Sequence, residues 1–361
     1  MRSPAFLSRG LTRFAALLSL ATAASLLGSM PAAADDPASS GQTTPATVVA
    51  PPTNAEAGTT TAQVPDTEKS TETTPASPKK KSSPPKKRRG GIHPCMTPDP
   101  GWGLYDPWSN APSIGQMVAP RKGGITKTGA FDLIVHFHGH EPIRKEFVKT
   151  AKGSVLVGID LGIGSGAYSS GFASPQVFTQ LIASVEAAMA KKTGNKNAHV
   201  RHLALSSWSA GYGAIEQILR QPAGKRVEAV VLLDSLHTGY VDEHSHALKT
   251  QQIDVFVDYA KRAAKKQTFM YMSHSSIIPP GYASTTEVAS YVIGELKGKP
   301  KKAKRADVLG LDMIRRFDKG DFHVRGYTGD DKPDHCAHIG LMADIIRVHL
   351  EPRWKTPRAK K

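Results

Sequence analysis

Cysteine occurs only twice in 361 residues, at Cys95 and Cys336, which excludes a disulfide-framework scaffold and a zinc site built from cysteine alone. Aromatic residues make up 7% of the chain and hydrophobic residues 39%, little for a single globule, so part of the chain does not pack. Acids are outnumbered, 31 against 47 lysines and arginines, giving a formal net charge of +16 before the 14 histidines are counted. Beyond residue 40 no apolar run reaches the roughly 18 to 20 residues of a membrane-spanning helix, so none is expected in the mature protein.

The N-terminus has the order of a secretory signal peptide. Arg2, Arg9 and Arg13 precede an apolar stretch from Phe14 to Met30, and Ala32, Ala33 and Ala34 supply a small-residue cleavage site. Residues 1–34 are therefore expected to be removed on export to the periplasm or the exterior. Residues 35–92 are rich in Ala, Thr, Pro, Ser and Gly and read as a disordered linker, because they lack the apolar side chains that offset the entropy of ordering. Its second half carries Lys79, Lys80, Lys81, Lys86, Lys87, Arg88 and Arg89, interleaved with prolines that keep it extended. Such an arm fits either adhesion to an anionic envelope surface or a solvated tether.

Residues 93–361 are long enough for one large α/β domain. Strand-length apolar runs are expected at 131–137, 154–160, 202–206, 227–234, 268–272 and 322–327. Helical spacing appears after Pro175, after Gly211 and over a closing helix at 337–350. Strand and helix in regular alternation predict a mostly parallel central sheet with helices on both faces. Two basic clusters remain outside this pattern. Lys297, Lys299, Lys301, Lys302, Lys304 and Arg305 form one, and Arg353, Lys355, Arg358, Lys360 and Lys361 form the other. Both read as solvated faces that favour anionic surfaces, without the features of base-specific nucleic-acid readout.

Ser207-Trp208-Ser209-Ala210-Gly211 stands between the strand at 202–206 and the helix that follows. A sharp strand-to-helix turn exposes its central residue, Ser209, and needs small residues two before and two after, where the backbones crowd. The amide of Ala210 and the helix N-terminus then face any negative charge that develops beside Ser209. On these residues the chain resembles the α/β-hydrolase family of serine hydrolases over roughly residues 131–350. Ser207 stands where that family usually has glycine.

The resemblance implies a hydrolase that cleaves an ester, less readily an amide, through an acyl-enzyme and without a cofactor. It carries an oxyanion role onto the His138-Gly139-His140 loop, through the amide of Gly139 or His140 together with Ala210. It places the base in the loop before the closing helix, where His335 is preferred because it leaves that helix whole and His338 is the alternative. The orienting acid is expected between nucleophile and histidine, at Asp234 or, failing that, Glu287. Trp208, Tyr168, Tyr212 and Tyr282 are candidates to line the substrate pocket.

Two readings of other classes compete. His136, His138 and His140 alternate, and on one face of a strand they would suit a catalytic zinc, although no metal is expected under the preferred reading. A non-enzymatic envelope-binding protein on a hydrolase-like fold is the other. Finally, two lone cysteines in an oxidising compartment are expected to pair, tying Cys95 to Cys336 beside the proposed base.

Overall fold

The computed structural model describes residues 94–355 apart from 243 and 308. The expected signal peptide, the linker with its basic run, and Arg358, Lys360 and Lys361 lie outside the described residues. Among those described, no helix is long and apolar enough to cross a membrane.

Among the described residues nine strands form one sheet. In chain order they are β1 (Gln116–Val118), β2 (Ala130–Phe137), β3 (Val155–Ile159), β4 (His199–Trp208), β5 (Ala229–Leu233), β6 (Phe269–His274), β7 (Lys301–Ala306), β8 (Asp312–Lys319) and β9 (Phe322–Tyr327). Their spatial order is β1-β3-β2-β4-β5-β6-β9-β8-β7. The six strands from β3 to β9 in that order run parallel, while β1 at one edge and β8 and β7 at the other are antiparallel.

The helices are α1 (His140–Thr150), α2 (Ser165–Gly171), α3 (Pro175–Thr193), α4 (Tyr212–Arg220), α5 (Asp254–Ala264), α6 (Thr285–Glu295), α7 (Lys332–Ala337), α8 (Leu341–Ile345) and α9 (Glu351–Lys355). The period of two along the strands explains how both faces are covered. Leu133, Val135 and Phe137 of β2 and Val230 and Leu232 of β5 pack with α2 to α6 in one core. Ile134, Ala229, Val231 and Leu233 point the other way, into a second core with α1 and α7 to α9. The mostly parallel central sheet with helices on both faces, expected from the alternation of strand and helix, is thus what the sequence forms.

Residues 301–306 of the first basic cluster form the edge strand β7, held by the register of β8 and exposed along most of its length, so this face is solvated as expected. One expectation needs correction. The closing helical region starts at Lys332, not 337. Asp331 caps α7 by accepting from the Asp334 amide, and Pro333 suits the first turn, so the helix begins before the apolar pattern does.

Chain direction also sets the location of the site. Strands β2 and β4 are neighbours, and the connections leaving them run in opposite directions, from β2 to β3 and from β4 to β5, so a crevice opens beyond their carboxyl ends. His138 follows β2 there, and Ser209 follows β4.

Candidate active site

Ser209 has φ 49°, a left-handed conformation unusual for a side chain with a β-carbon, at the point where β4 turns toward α4. The turn is tight. A β-carbon on Gly211 would fall 2.1 Å from the Phe137 carbonyl oxygen, and one on Gly213 would fall 2.4 Å from that of Ser165. Ser207 is fully buried, and its Oγ lies 2.8 Å from Ser235 Oγ. Ser235 donates to the Ser209 carbonyl at 2.7 Å, so the one remaining hydroxyl proton of the pair belongs to Ser207, which donates to Ser235. The serine in place of glycine is thereby satisfied and braces the elbow.

Asp234 directly follows β5 with φ 43°, turned back toward the site. Its Oδ2 accepts from His335 Nδ1 at 2.7 Å, and its Oδ1 accepts from the Ser275 amide at 2.8 Å and the Thr285 hydroxyl at 2.7 Å. Burial opposes ionisation of this carboxyl, but His338, His335 and Thr285 outweigh it and hold the pKa well below the usual carboxylate range. With Nδ1–H committed to Asp234, neutral His335 keeps its lone pair on Nε2. The His335 side chain is 20% exposed against 2% for Asp234. Its ring lies 4.7 Å from that of Trp208, whose indole N–H donates to the His335 carbonyl at 3.0 Å. His335 therefore stands beside the 208–209 turn, within α7 and not in the loop before it.

The alternatives are occupied elsewhere. Glu287 forms a capping box with Ser284 at the start of α6 and accepts from the Tyr240 hydroxyl. That work sets it apart from His335. His338 is fully buried, with Nδ1 2.8 Å from Ser273 Oγ, and burial pushes its pKa down to about 4.

The expected oxyanion loop differs from its reading. The Gly139 amide donates to Asp160 Oδ1 at 2.7 Å and the His140 amide to Asp160 Oδ2 at 3.3 Å, and His140 Nδ1 also contacts Oδ2. Asp160, at the end of β3, thus takes up both donors that sequence reasoning assigned to the oxyanion. Burial raises its pKa, but the His140 side chain and these amides prevail, bringing it down to about 2. Ala210 lines the cavity beside Ser209 and is the expected donor that remains. The sequence signal for this contact is a carboxylate, Asp160, placed directly after the apolar run that ends at Ile159.

The histidine trio does not form a metal site. Strand β2 stops at Phe137, and His138 adopts φ 70°, so the alternation that would align three rings breaks after His136. His136 Nε2 donates to the His138 carbonyl at 2.7 Å and its Nδ1 accepts from Ser206, while burial lowers its pKa to about 3. His138 Nδ1 pairs with Tyr168 and His140 Nδ1 with Asp160. Among the described residues no group of three or more His, Cys, Asp or Glu is placed to hold a metal ion.

A cavity of about 520 Å³ opens at Ser209 and Ala210, with Tyr212, Glu216, His237 and Tyr282 in its wall. His237 Nδ1 donates to the Ala283 carbonyl at 3.0 Å. Of the expected aromatics, Tyr212 and Tyr282 line this cavity. Trp208, at the end of β4, instead stacks on the His138 ring with centroids 5.1 Å apart, and Tyr168 is fully buried. Cys95 and Cys336 are joined in a disulfide with Cα atoms 6.1 Å apart across 241 residues. The segment that carries Cys95 is held to α1 by Arg144 on Asp99 and Lys145 on the Thr97 carbonyl.

No protein-family model and no curated protein matches the chain. Among solved structures it is similar to an uncharacterised protein from Capnocytophaga ochracea, at 10% identity and TM-score 0.39, covering 64% of this chain and 59% of that one. The LpqC poly(3-hydroxybutyrate) depolymerase from Bordetella parapertussis gives 11% identity and TM-score 0.36, covering 68% and 87%. The siderophore hydrolase EstB from Aspergillus nidulans gives 12% and 0.39, covering 71% and 97%.

Proposed function

We propose that this protein is a serine hydrolase that cleaves an ester through an acyl-enzyme on Ser209. The observation that carries the reading is the Asp234–His335 hydrogen bond of 2.7 Å beside a serine held at φ 49° on a strand-to-helix turn. A serine hydroxyl is a poor nucleophile at neutral pH and needs a base. His335 Nε2 removes the Ser209 proton as Oγ attacks the ester carbonyl, and Asp234 stabilises the imidazolium that forms. The Ala210 amide and the start of α4 offset charge on the carbonyl oxygen. Collapse of the tetrahedral intermediate expels the alcohol with a proton from His335. Water then repeats the sequence in reverse roles, releasing the acid and restoring Ser209.

Export is part of the proposal, supported by the charge and apolar order of residues 1–34 and by a disulfide of the kind that persists in oxidising compartments. The basic arm at 79–89 fits attachment to an anionic envelope. Turnover of p-nitrophenyl acetate and butyrate by purified protein, set against the Ser209→Ala variant, tests the chemistry. Hydrolysis lost in the variant supports it, and equal hydrolysis by both proteins rejects it.

A further inference from the structure

We infer that the β7–β8 hairpin is a docking site for a linear polyphosphate chain, separate from the hydrolase site. The register pairs Lys301 with Arg316 and Lys302 with Arg315, two consecutive like-charge pairs directly opposite each other. Facing like charges destabilise a strand pair, so a fold gains nothing from them by itself. Among the described residues, neither these four side chains nor Lys304 and Arg305 form an ion pair with an acid.

Lysines on an edge strand also guard against edge-to-edge aggregation. That purpose explains charge on β7, which is the edge. It does not explain Arg315 and Arg316 on β8, which is paired on both sides by β7 and β9. Lys302, Lys304 and Arg315 converge on a groove of about 790 Å³ floored by Ala303, Met313 and Ile314, with Asp312 as the one acid in its wall. Lys301 and Arg316 continue the charge around the opposite face of the ribbon.

The choice of partner follows from what flanks the charge. Among the described residues none of the large exposed apolar side chains lies between residues 299 and 319, which leaves the described part of the hairpin without an apolar anchor for a bilayer. Its only aromatic, Phe317, is buried, so there is no platform on which bases stack. A flexible chain of regularly spaced anions fits a six-residue strand with cations on both faces. At such exposed sites each contact is modest, and affinity comes from their number and falls with salt.

The test measures binding of the full chain to fluorescein-labelled inorganic polyphosphate at low and moderate salt. It compares wild type, a Lys302→Gln/Lys304→Gln/Arg315→Gln variant, a Lys301→Gln/Arg316→Gln variant, and one with the basic residues at 79–89 changed to Gln. Both hairpin variants should bind about tenfold more weakly with a shallower salt dependence, melt no lower than wild type, and keep full esterase activity. Wild-type affinity in the hairpin variants overturns the inference, as does loss confined to the 79–89 variant. So does a lowered melting temperature, which would make the pairs structural. Binding to phosphatidylglycerol vesicles or to single-stranded DNA in preference to polyphosphate would equally reject the polymer assignment.

Discussion

The Ser235 hydroxyl donates to the carbonyl oxygen of Ser209 at 2.7 Å, tying the end of β5 to the residue at the apex of the elbow. Through this bond the strained backbone at φ 49° is held by a side chain from the segment that follows β5. Ser235 in turn accepts from Ser207, so one hydroxyl serves two buried groups. Ser235→Ala leaves both without their partner and is expected to cost about 1–3 kcal/mol of stability. Urea unfolding measures it, and a change below a few tenths of a kcal/mol would show that the elbow does not depend on this bond.

Asp234→Asn should lower kcat by about 10³- to 10⁴-fold with the fold intact, because the amide no longer stabilises the imidazolium or fixes its tautomer. Glu287→Gln should leave kcat within about twofold, with a stability loss of roughly 1 kcal/mol from the weakened capping box. Steady-state kinetics on both variants decide between the two acids. The reverse pattern would move the orienting role to Glu287.

Acid should weaken the fold in a defined window. His136, His338 and His349 have pKa values lowered by burial to about 3, 4 and 4. Below the unfolded value near 6.5 the unfolded chain binds protons that the native state refuses. The stability they permit is therefore complete above pH 6.5 and declines as pH falls toward 4, by roughly 1 kcal/mol per pH unit for each of the fully buried His136 and His338 and by less for the half-buried, solvent-screened His349. Urea midpoints recorded from pH 7 to pH 4 should fall steadily, and a flat profile would contradict the burial of these rings. His338→Phe should make the slope shallower.

The disulfide closes a 241-residue separation and follows His335 directly. The chain-entropy model gives it a stabilisation on the order of 5 kcal/mol. Reduction should lower the melting temperature markedly and reduce kcat, because α7 loses its tie to the segment held on α1. Differential scanning calorimetry with and without reductant checks the first effect and ester turnover the second. Unchanged values in both would leave the bridge without a role in positioning His335.

Much of this arrangement was legible in the sequence because it rests on local pattern. Aliphatic runs at 131–137, 154–160 and 227–234 are strands because both faces are buried, and the small residues around Ser209 mark the turn they permit. The parts that escaped depend on partners distant in the chain. Strand β7 is Lys-rich and has no apolar alternation, so only its pairing with β8 makes it a strand. His335 looks like a loop residue in the sequence because the Asp331 cap and Pro333 lie ahead of the apolar stripe. The engagement of Gly139 and His140 by Asp160 depends on the parallel pairing of β2 with β3, which spacing alone does not specify.

The most direct test of the account is the site of covalent attack by a fluorophosphonate. Purified protein treated with the reagent should gain one adduct, mapped by peptide mass spectrometry to Ser209. Labelling should be abolished in Ser209→Ala and slowed by orders of magnitude in His335→Ala. An adduct on another residue, or undiminished labelling of Ser209→Ala, would contradict the assignment of Ser209 as the nucleophile.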